Sequence, residues 1–230
     1  MKGETCNRST QVFIAALNEE EGIGPTIKEL KRYVDTSNIL VIDGKSSDRT
    51  VEVAKNLGAE IAFQDGTGKG DALSKAIKHL NSDVDYVIIT DADYTYPAKY
   101  LQVMLEILDE NPRVGMVCGN RFGNTIHAKA LNNLFYFGNR MIAFTHNLLN
   151  GVQLNDPLTG LRVVRAEVLR GWNVKSQGFD VEVELNHHTE RKGFGIIEVP
   201  IKYRARLGTK KLKVTDGATI LKRILLETFY

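Results

Sequence analysis

The chain has 230 residues, enough for one or two domains with a substantial apolar core. Hydrophobic residues make up 43% and charged residues 25% of it, and no tract of about 18 uncharged apolar residues predicts a membrane-spanning helix. The net charge of only +2 does not by itself indicate an acidic or basic partner, and we expect no nucleic acid among the ligands.

The N-terminus and the cysteines bear on the compartment. Residues 1–6 lack the apolar segment of a secretory signal, so we expect a cytoplasmic protein. Cys6 and Cys118 are too few for a disulfide framework, which fits a reducing environment. Cys118 ends an apolar run and is predicted to be a buried thiol.

Apolar runs and amphipathic patterns alternate through the first half of the chain, with short polar connections between them. Near-continuous apolar runs are typical of strands buried on both faces, and apolar residues recurring every three or four positions indicate helices. The alternation predicts an α/β fold with a mostly parallel central sheet and helices on both faces. Strands are predicted at 11–17, 38–43, 59–63, within 84–93, and at 114–118, and helices at 25–33, 50–57, 71–80 and 98–108.

The second half of the chain has a different texture. Its first helical pattern is long and rich in aromatic residues, which indicates either a core helix or a helix that lines an apolar groove. Glu184 is predicted on the apolar side of a later helix, where it is either buried and paired or part of a site. Pro200 places the last strand at a sheet edge or a bulge. Strands are predicted at 161–165 and 195–203, and helices at 128–149, 180–190 and 214–229, the last of them amphipathic.

Polar side chains follow four of the predicted strands where the strands end, namely Asn18 with Glu19, Asp43, Asp91 with Asp93, and Arg121. Because parallel strands end at one edge of a sheet, we expect these side chains to gather there. Asp91 and Asp93 are spaced i, i+2, so their carboxylates point the same way in an extended chain. Mg²⁺ is typically bound by one or two carboxylates together with substrate phosphates. The pattern predicts a metal–diphosphate site, and the alternative is an acidic turn after a strand.

Basic residues cluster between the last predicted strand and the end of the chain, with Asp216 as the one acid nearby. A cationic segment beside an amphipathic helix suits an anionic membrane surface or an acidic ligand. The alternative is a solvated basic face. The cluster consists of Lys202, Arg204, Arg206, Lys210, Lys211, Lys213, Lys222 and Arg223.

Short motifs follow one another in a characteristic order, namely Ala15-Ala16-Leu17-Asn18-Glu19, Asp43-Gly44-Lys45-Ser46-Ser47-Asp48-Arg49-Thr50, Gly68-Lys69-Gly70, Asp91-Ala92-Asp93, Gly119-Asn120-Arg121 and Asp156-Pro157-Leu158-Thr159-Gly160. With the basic segment, they resemble the inverting glycosyltransferases of family 2. More narrowly, the chain resembles the dolichyl- and polyprenyl-phosphate sugar synthases, which include the dolichyl-phosphate mannose synthases, and the resemblance runs from about residue 11 to 212. The resemblance implies the GT-A (Rossmann-like) fold.

The resemblance also implies a role for individual residues. Asp91 and Asp93 would bind the metal, Mg²⁺ or Mn²⁺. Arg121 and Asp156 would be the catalytic residues, with Asp156 acting either as a base or as the group that orients an acceptor-binding cation. Arg140 is a second candidate for positioning the acceptor. The phosphate-binding residues would be Arg121, Arg204, Arg206 and Lys211, and the nucleotide-binding residues Ala15, Leu17, Asn18, Glu19, Asp43, Lys69, Asp91, Ala92 and Asp93.

Three positions depart from the pattern of these synthases. Leu17 stands where they have an aromatic residue, so stacking on the nucleobase is expected to be weaker or to come from elsewhere. Thr95 stands where relatives have a glutamine that coordinates the metal, and Lys210 replaces a serine of the basic segment.

The activity that the resemblance implies is inverting, metal-dependent transfer of a hexose from a nucleotide sugar to dolichyl or polyprenyl phosphate. GDP-mannose is the favoured donor, followed by UDP-glucose and UDP-N-acetylglucosamine, and the enzyme would work peripherally at the cytoplasmic face of a membrane. The alternatives are a soluble family-2 transferase acting on a hydroxyl acceptor and a nucleotide-binding module that has lost catalysis.

The same resemblance implies a division of the chain. Residues 1–212 would form the catalytic domain, with a nucleotide-binding half at 11–121 and an acceptor half at 122–212. Residues 213–230 would form an interfacial amphipathic helix, the position after which many relatives carry transmembrane helices.

Overall fold

A computed structural model describes residues 9–123, 133–150, 153–211 and 215–229 of the chain. Strands and helices alternate along these residues, and the strands join one sheet. The strands are β1 (Thr10–Ala16), β2 (Ile39–Asp43), β3 (Glu60–Phe63), β4 (Tyr86–Asp91), β5 (Val114–Asn120), β6 (Arg162–Arg165) and β7 (Gly195–Pro200). The helices are α1 (Glu20–Leu30), α2 (Thr50–Asn56), α3 (Gly68–Lys78), α4 (Leu101–Glu110), α5 (Asn133–Asn150), α6 (Ala166–Leu169), α7 (Val181–Arg191) and α8 (Asp216–Thr228).

The strand order in the sheet is β3-β2-β1-β4-β6-β5-β7. All neighbours pair in parallel except β6, which runs antiparallel to both β4 and β5. The prediction of a mostly parallel sheet is therefore confirmed, and Pro200 ends the edge strand β7, where it interrupts no further strand pairing. Since β6 separates β4 from β5, the carboxyl ends of those two strands lie roughly 10 Å apart. The first residue of β6 lies between them and pairs with both strands.

The sheet separates two apolar clusters, and the alternation of side chains along each strand decides which cluster a residue joins. Val12 and Ile14 of β1 pack on the face covered by α1, α2 and α4. Phe13 packs on the other face, covered by α3, α6 and α7. Cys118 belongs to this second cluster as a buried thiol, as predicted, and burial raises its pKa to about 11. Cys6 lies outside the described residues.

Helix α1 begins earlier than the sequence predicts. Because proline favours the first helical turn, the pattern predicted a start at Pro25, but the helix begins at Glu20 and holds Pro25 in its interior. The backbone carbonyl of Glu19 accepts a hydrogen bond from the N–H of Gly22 at 3.1 Å. Gly22 lies so close to the loop after β4 that a Cβ there would be 2.6 Å from the carbonyl oxygen of Ala92. The early start therefore brings the N-terminus of α1 to the edge where the strands end.

Helix α5 is continuous through Gly138, and residues 128–132 of the predicted helix lie outside the described part of the chain. The helix packs against α8, and both contact α7 through a small apolar cluster. Among the helices that the structure describes, none is long and apolar enough to cross a membrane. The cluster consists of Ile142, Val183, Ile220 and Ile224.

Two buried histidines join α5 to α7. The ring centroids of His146 and His187 are 5.1 Å apart. Burial lowers the pKa of each to about 4, helped at His146 by His187 and Arg162 and at His187 by Arg191. Between the ordinary histidine pKa of 6.5 and the folded value of about 4, the unfolded chain takes up protons that the folded protein does not. Stability that is fully present above this range is therefore lost as the pH falls through it.

We expect His187→Gln to weaken this pH dependence. With one buried histidine removed, the slope of unfolding free energy between pH 6.5 and 4 should decrease by about 1.4 kcal/mol per pH unit. Urea unfolding at a series of pH values measures the slope. His79→Gln changes an exposed histidine and should keep the wild-type slope, and an unchanged slope in His187→Gln would contradict the assignment.

Candidate functional site

A cavity of about 470 Å³ opens at the edge where β1, β4 and β5 end. Its walls come from the strand ends, the N-termini of α3, α7 and α8, and the segment after β7. The lining mixes acidic, basic and apolar side chains, so the cavity can bind a ligand that has both charged and uncharged parts. It is lined by Ala15, Ala16, Leu17, Glu19, Gln64, Gly68, Lys69, Ala72, Asp91, Ala92, Asp93, Tyr96, Arg121, Asn139, Leu158, Gly178, Phe179, Glu182, Tyr203, Arg206, Lys210, Lys211 and Asp216.

The sheet register explains why residues distant in sequence meet here. Ala15 of β1 pairs with Asp91 of β4, and Ala16 pairs with Asp43 of β2, so three strands end almost level. The predicted gathering of strand-end side chains is therefore observed. The predicted site residues that line the cavity are Ala15, Leu17, Glu19, Lys69, Asp91, Ala92, Asp93, Arg121, Arg206 and Lys211.

Asp91 is balanced by a buried lysine from the N-terminal turn of α3. The Lys69 ammonium lies 2.5 Å from Oδ1 of Asp91 and 2.7 Å from Oε1 of Glu182 on α7. Burial opposes the charge on this lysine, but the two carboxylates outweigh it and raise the pKa of Lys69 above its ordinary value. Lys69 is therefore a fixed positive charge between two acids on the cavity wall.

Asp93 is fixed by its neighbour Thr95. The Thr95 hydroxyl donates to Oδ1 of Asp93 at 2.6 Å, and the Thr95 backbone N–H donates to the same atom at 3.2 Å. Oδ2 of Asp93 lies 3.5 Å from the Arg206 guanidinium. Burial and the charge of Asp91 raise the pKa of Asp93. Thr95 is fully buried and does not line the cavity, so here it orients a carboxylate rather than facing a ligand.

Glu19 forms ion pairs with two cations of the basic segment after β7. Arg206 pairs with Oε1 of Glu19, and the Lys211 ammonium lies 3.8 Å from the same oxygen. Burial raises the pKa of Glu19, while Arg206 and Lys211 act in the opposite direction. Arg206 thus lies between Glu19 and Asp93, and these ion pairs hold the basic segment against the cavity.

Arg121, just after β5, forms a buried ion pair with Asp156. The guanidinium of Arg121 donates to both carboxylate oxygens of Asp156, at 2.7 and 2.6 Å, and the Arg121 backbone N–H donates at 3.0 Å. Burial opposes the charge on Arg121, and Asp156 more than compensates, so the pKa of Arg121 is raised. Glu198 of β7 accepts the backbone N–H of Asp156 at 2.6 Å, which fixes the turn that carries this carboxylate. Asp156 itself does not line the cavity.

Four other predicted residues also lie outside the cavity lining. Asp43 is fully buried and accepts hydrogen bonds from the backbone and hydroxyl of Ser46 at 2.7 and 2.6 Å. Asn18 accepts the backbone N–H of Ser47 at 2.8 Å, so both residues shape the loop beside the cavity. Arg204 makes two hydrogen bonds to Glu29, at 2.7 and 2.8 Å, and Arg140 is exposed on α5.

The site includes residues that sequence analysis missed. The sequence pattern singles out Glu184, and Glu182 lies two positions earlier on the same helix. Glu184 proves to be buried and paired, since it accepts the backbone N–H groups of Lys175 and Ser176 at 2.8 and 2.6 Å. Glu182 lines the cavity, and its Oε2 is buried without a hydrogen-bond partner. Both glutamates are on one short helix, and the sequence carries no signal that separates them.

The residues present fit a divalent cation with a bound diphosphate. Within the described ranges, no three His, Cys, Asp or Glu side chains are arranged to hold a metal by themselves. Asp91 and Asp93 offer two carboxylates at the cavity, a number that suits Mg²⁺ when phosphate oxygens supply further ligands. The cations Arg206, Lys210 and Lys211 line the same cavity, where they can meet phosphate charge.

Comparison with known proteins identifies the family. The profile of "Glycosyl transferase family 2" matches residues 11–172. Over 218 residues, the chain is 34% identical to a dolichyl-phosphate hexose transferase of Haloferax volcanii, covering 93% of this chain and 91% of that protein. It is 28% identical over 216 residues to an undecaprenyl-phosphate mannosyltransferase of Micrococcus luteus, covering 87% and 86%. A dolichol-phosphate mannosyltransferase of Pyrococcus furiosus is 26% identical over 226 residues, covering 92% of this chain but 60% of that protein.

Solved structures support the fold. Glucosyl-3-phosphoglycerate synthase of Mycobacterium tuberculosis superposes with a TM-score of 0.74 at 19% identity, covering 97% of this chain and 81% of that one. The same enzyme with Mn²⁺, UDP-glucose and glycerol 3-phosphate gives a TM-score of 0.72 at 20% identity, covering 97% and 81%. The family match, the relatives and the fold agree. The chain therefore belongs to glycosyl transferase family 2 and is a hexosyltransferase of the GT-A fold.

Proposed function

We propose that the protein transfers a hexose, with inversion and with the help of a divalent metal, from a nucleotide sugar to dolichyl or polyprenyl phosphate. The observation that carries the proposal is the meeting, in one cavity, of the carboxylates Asp91 and Asp93 with a set of cations led by Arg121 and Arg206. Such a site suits a reaction between two phosphate-bearing substrates. The names of the Haloferax and Micrococcus relatives, both transferases of lipid-phosphate sugars, support the acceptor class.

The donor that we propose is GDP-mannose, with UDP-glucose and UDP-N-acetylglucosamine as the next candidates. The mannosyltransferase names of the Micrococcus and Pyrococcus relatives support mannose. The UDP-glucose bound to the Mycobacterium synthase supports a uridine nucleotide. We also propose that Glu182 accepts a hydrogen bond from a hydroxyl of the donor sugar. Its Oε2, which has no hydrogen-bond partner, lies at the cavity wall, and its Oε1 contacts Lys69.

Asp91 and Asp93 would hold the metal, Mg²⁺ or Mn²⁺, and the Mn²⁺ and Mg²⁺ complexes of the Mycobacterium synthase support this choice. A bound divalent cation stabilises negative charge that develops on a leaving diphosphate. Lys69 keeps Asp91 in place through its 2.5 Å contact, and Thr95 does the same for Asp93. Arg206 and Lys211 would turn from Glu19 towards the diphosphate when the donor binds.

The acceptor half of the reaction depends on Arg121. Its guanidinium lies over the ring of Tyr203, 5.6 Å from the centroid, and both residues line the cavity. A phosphate monoester has a second pKa near 6, so it is largely ionised at neutral pH and needs positioning more than a general base. Asp156 is committed to Arg121 with both oxygens, which suits an anchoring role.

A second candidate function is transfer to a hydroxyl group by an enzyme free in solution. The fold shared with glucosyl-3-phosphoglycerate synthase favours it. A hydroxyl acceptor requires a base, and Asp156 would have to leave Arg121 to serve as one. Parallel assays with a short polyprenyl phosphate and with 3-phosphoglycerate separate the two functions. Transfer to the hydroxyl acceptor alone would overturn our proposal.

We also propose that the protein works at the cytoplasmic face of a membrane, bound peripherally through α5 and α8. The two helices pack together and leave large apolar side chains in solvent, among them Phe144, Leu148 and Phe229, which are 63%, 70% and 81% exposed. Lys222 on α8 adds positive charge to this surface, and Lys213 lies outside the described residues. Exposed apolar groups combined with basic residues suit an anionic bilayer.

We expect Asp93→Ala to lower turnover by about a hundredfold or more, because the site loses one of its two metal-binding carboxylates. Stabilisation by GDP or UDP with Mn²⁺, measured as a rise in melting temperature, should be lost as well. Asp83→Ala changes an exposed aspartate just before β4 and should preserve both properties. A folded Asp93→Ala protein with normal turnover would show the assignment to be wrong.

Asp156→Asn should reduce stability and raise the KM for the lipid phosphate more than it lowers kcat. Removing one charge of a buried ion pair costs about 3 kcal/mol, which urea unfolding would detect. Glu52→Gln, which breaks the exposed pair with Arg49, should leave the unfolding midpoint unchanged. A selective loss of kcat with unchanged stability would instead assign Asp156 as the base.

Phe144→Asp should weaken binding to vesicles that contain phosphatidylglycerol by about tenfold or more, since a large apolar side chain no longer enters the bilayer. Flotation of protein with vesicles measures the bound fraction, and transfer to a short, water-soluble polyprenyl phosphate should stay at the wild-type rate. Val103→Asp on α4 alters an exposed apolar residue on another surface and should bind like wild type. Equal binding of Phe144→Asp and wild type would contradict this membrane surface.

A further inference from the structure

Arg162, the first residue of β6, is a buried cation without an acidic partner. It is 1% exposed, and in the part of the chain that the structure describes no carboxylate forms an ion pair with it. Its guanidinium instead donates to the backbone carbonyls of Thr159 and Pro157, at 3.0 and 2.8 Å, and to the side-chain oxygen of Asn186 at 2.6 Å. A charge buried without a counter-ion is costly, so its donors must find well-placed acceptors.

Two of the acceptors of Arg162, the carbonyls of Pro157 and Thr159, belong to one short turn, residues 156–160. Asn186 strengthens the arrangement, because its amide also donates to the carbonyl of Pro157 at 3.1 Å. The planar guanidinium therefore fixes two carbonyls of the turn at once, which a lysine with its single nitrogen cannot do in the same geometry.

This turn touches both halves of the reaction site. At its first residue, Asp156 holds Arg121 through two charged hydrogen bonds. At its last residue, Gly160 lies directly against the carboxylate of Asp91, so closely that a Cβ at Gly160 would clash with it. A shift of the turn by a fraction of an ångström would therefore move Arg121 and crowd Asp91 together.

We propose that Arg162 is a positioning residue that sets the distance between the donor and acceptor sites by holding the turn 156–160. It touches no substrate and acts through Asp156 on Arg121 and through Gly160 on Asp91. Its part in acceptor binding rests on the proposed function, in which Arg121 binds the acceptor phosphate. Its hydrogen bonds to the turn are observed in the structure and are independent of that function.

Arg165, at the other end of the same strand, offers a matched control. It also donates to backbone carbonyls, those of Val114 at 2.7 Å and Asn111 at 3.2 Å, but these lie at the opposite end of the sheet from the cavity. A merely structural role for the two arginines of β6 predicts that Arg162→Lys and Arg165→Lys behave alike. The proposal predicts that only the first disturbs the site.

The experiment compares wild type, Arg162→Lys, Arg165→Lys and Arg121→Lys in three measurements. Hydrogen exchange of the peptide covering 154–161 reports on the turn, and nucleotide with Mn²⁺ in calorimetry reports on the Asp91 side. Steady-state kinetics with a short polyprenyl phosphate gives KM and kcat separately. We expect Arg162→Lys to raise exchange in this peptide and to raise the acceptor KM about tenfold to a hundredfold, with a weaker effect on nucleotide affinity. Arg165→Lys should change none of the three.

The outcomes distinguish a failure of the proposed acceptor site from a failure of the positioning role of Arg162. If Arg121→Lys leaves the acceptor KM unchanged, the proposed acceptor site is wrong, while faster exchange in Arg162→Lys alone still supports the hold on the turn. If Arg121→Lys raises the KM but Arg162→Lys behaves like Arg165→Lys in both exchange and KM, the positioning role is overturned. If Arg162→Lys does not fold, Asn186→Ala replaces it. That change removes one anchor of the guanidinium and one of Pro157, and it should show the same pattern with a smaller KM effect.

Discussion

Repulsion between like charges is the constraint around which this site is built. Asp91 ends β4 and Asp93 follows two residues later, the first half-buried and the second buried, and two neighbouring negative charges there are costly unless cations lie near them. Lys69 forms an ion pair with Asp91, and Arg206 forms one with Asp93. Each cation is itself shared with a further acid, Glu182 or Glu19, so the balance of charge extends across the whole cavity.

The positions of the charged residues at the strand ends could be predicted from the sequence because they follow from the topology of a parallel sheet. Apolar runs mark the buried strands, and strands of one direction end at one edge, so Glu19, Asp91, Asp93 and Arg121 had to meet. The same patterns predicted helices on both faces, and both apolar clusters are observed. Local sequence suffices for features that depend on one strand and its direction.

The partners of these residues could not be predicted, because pairing depends on elements that meet only in the folded chain. Nothing near Asp156 indicates that both of its oxygens are taken by Arg121, and this pairing is what argues against a free base. The same holds for Glu182, which reaches Lys69 from a helix more than a hundred positions away. The start of α1 before Pro25 could not be predicted for a similar reason. In the first turn of this helix, Gly22 packs closely on the loop after β4, and that contact exists only in the folded chain.

That packing has a consequence for how the sequence can vary. Gly22 lies against the carbonyl of Ala92 on one side of the acidic loop, and Gly160 lies against Asp91 on the other. Neither glycine carries a reactive group, yet a single methyl at either position would intrude on the space that the carboxylates occupy. We therefore expect substitutions around this site to be limited by steric space as well as by the chemistry of the side chains. Gly22 and Gly160 should tolerate replacement as poorly as the aspartates beside them.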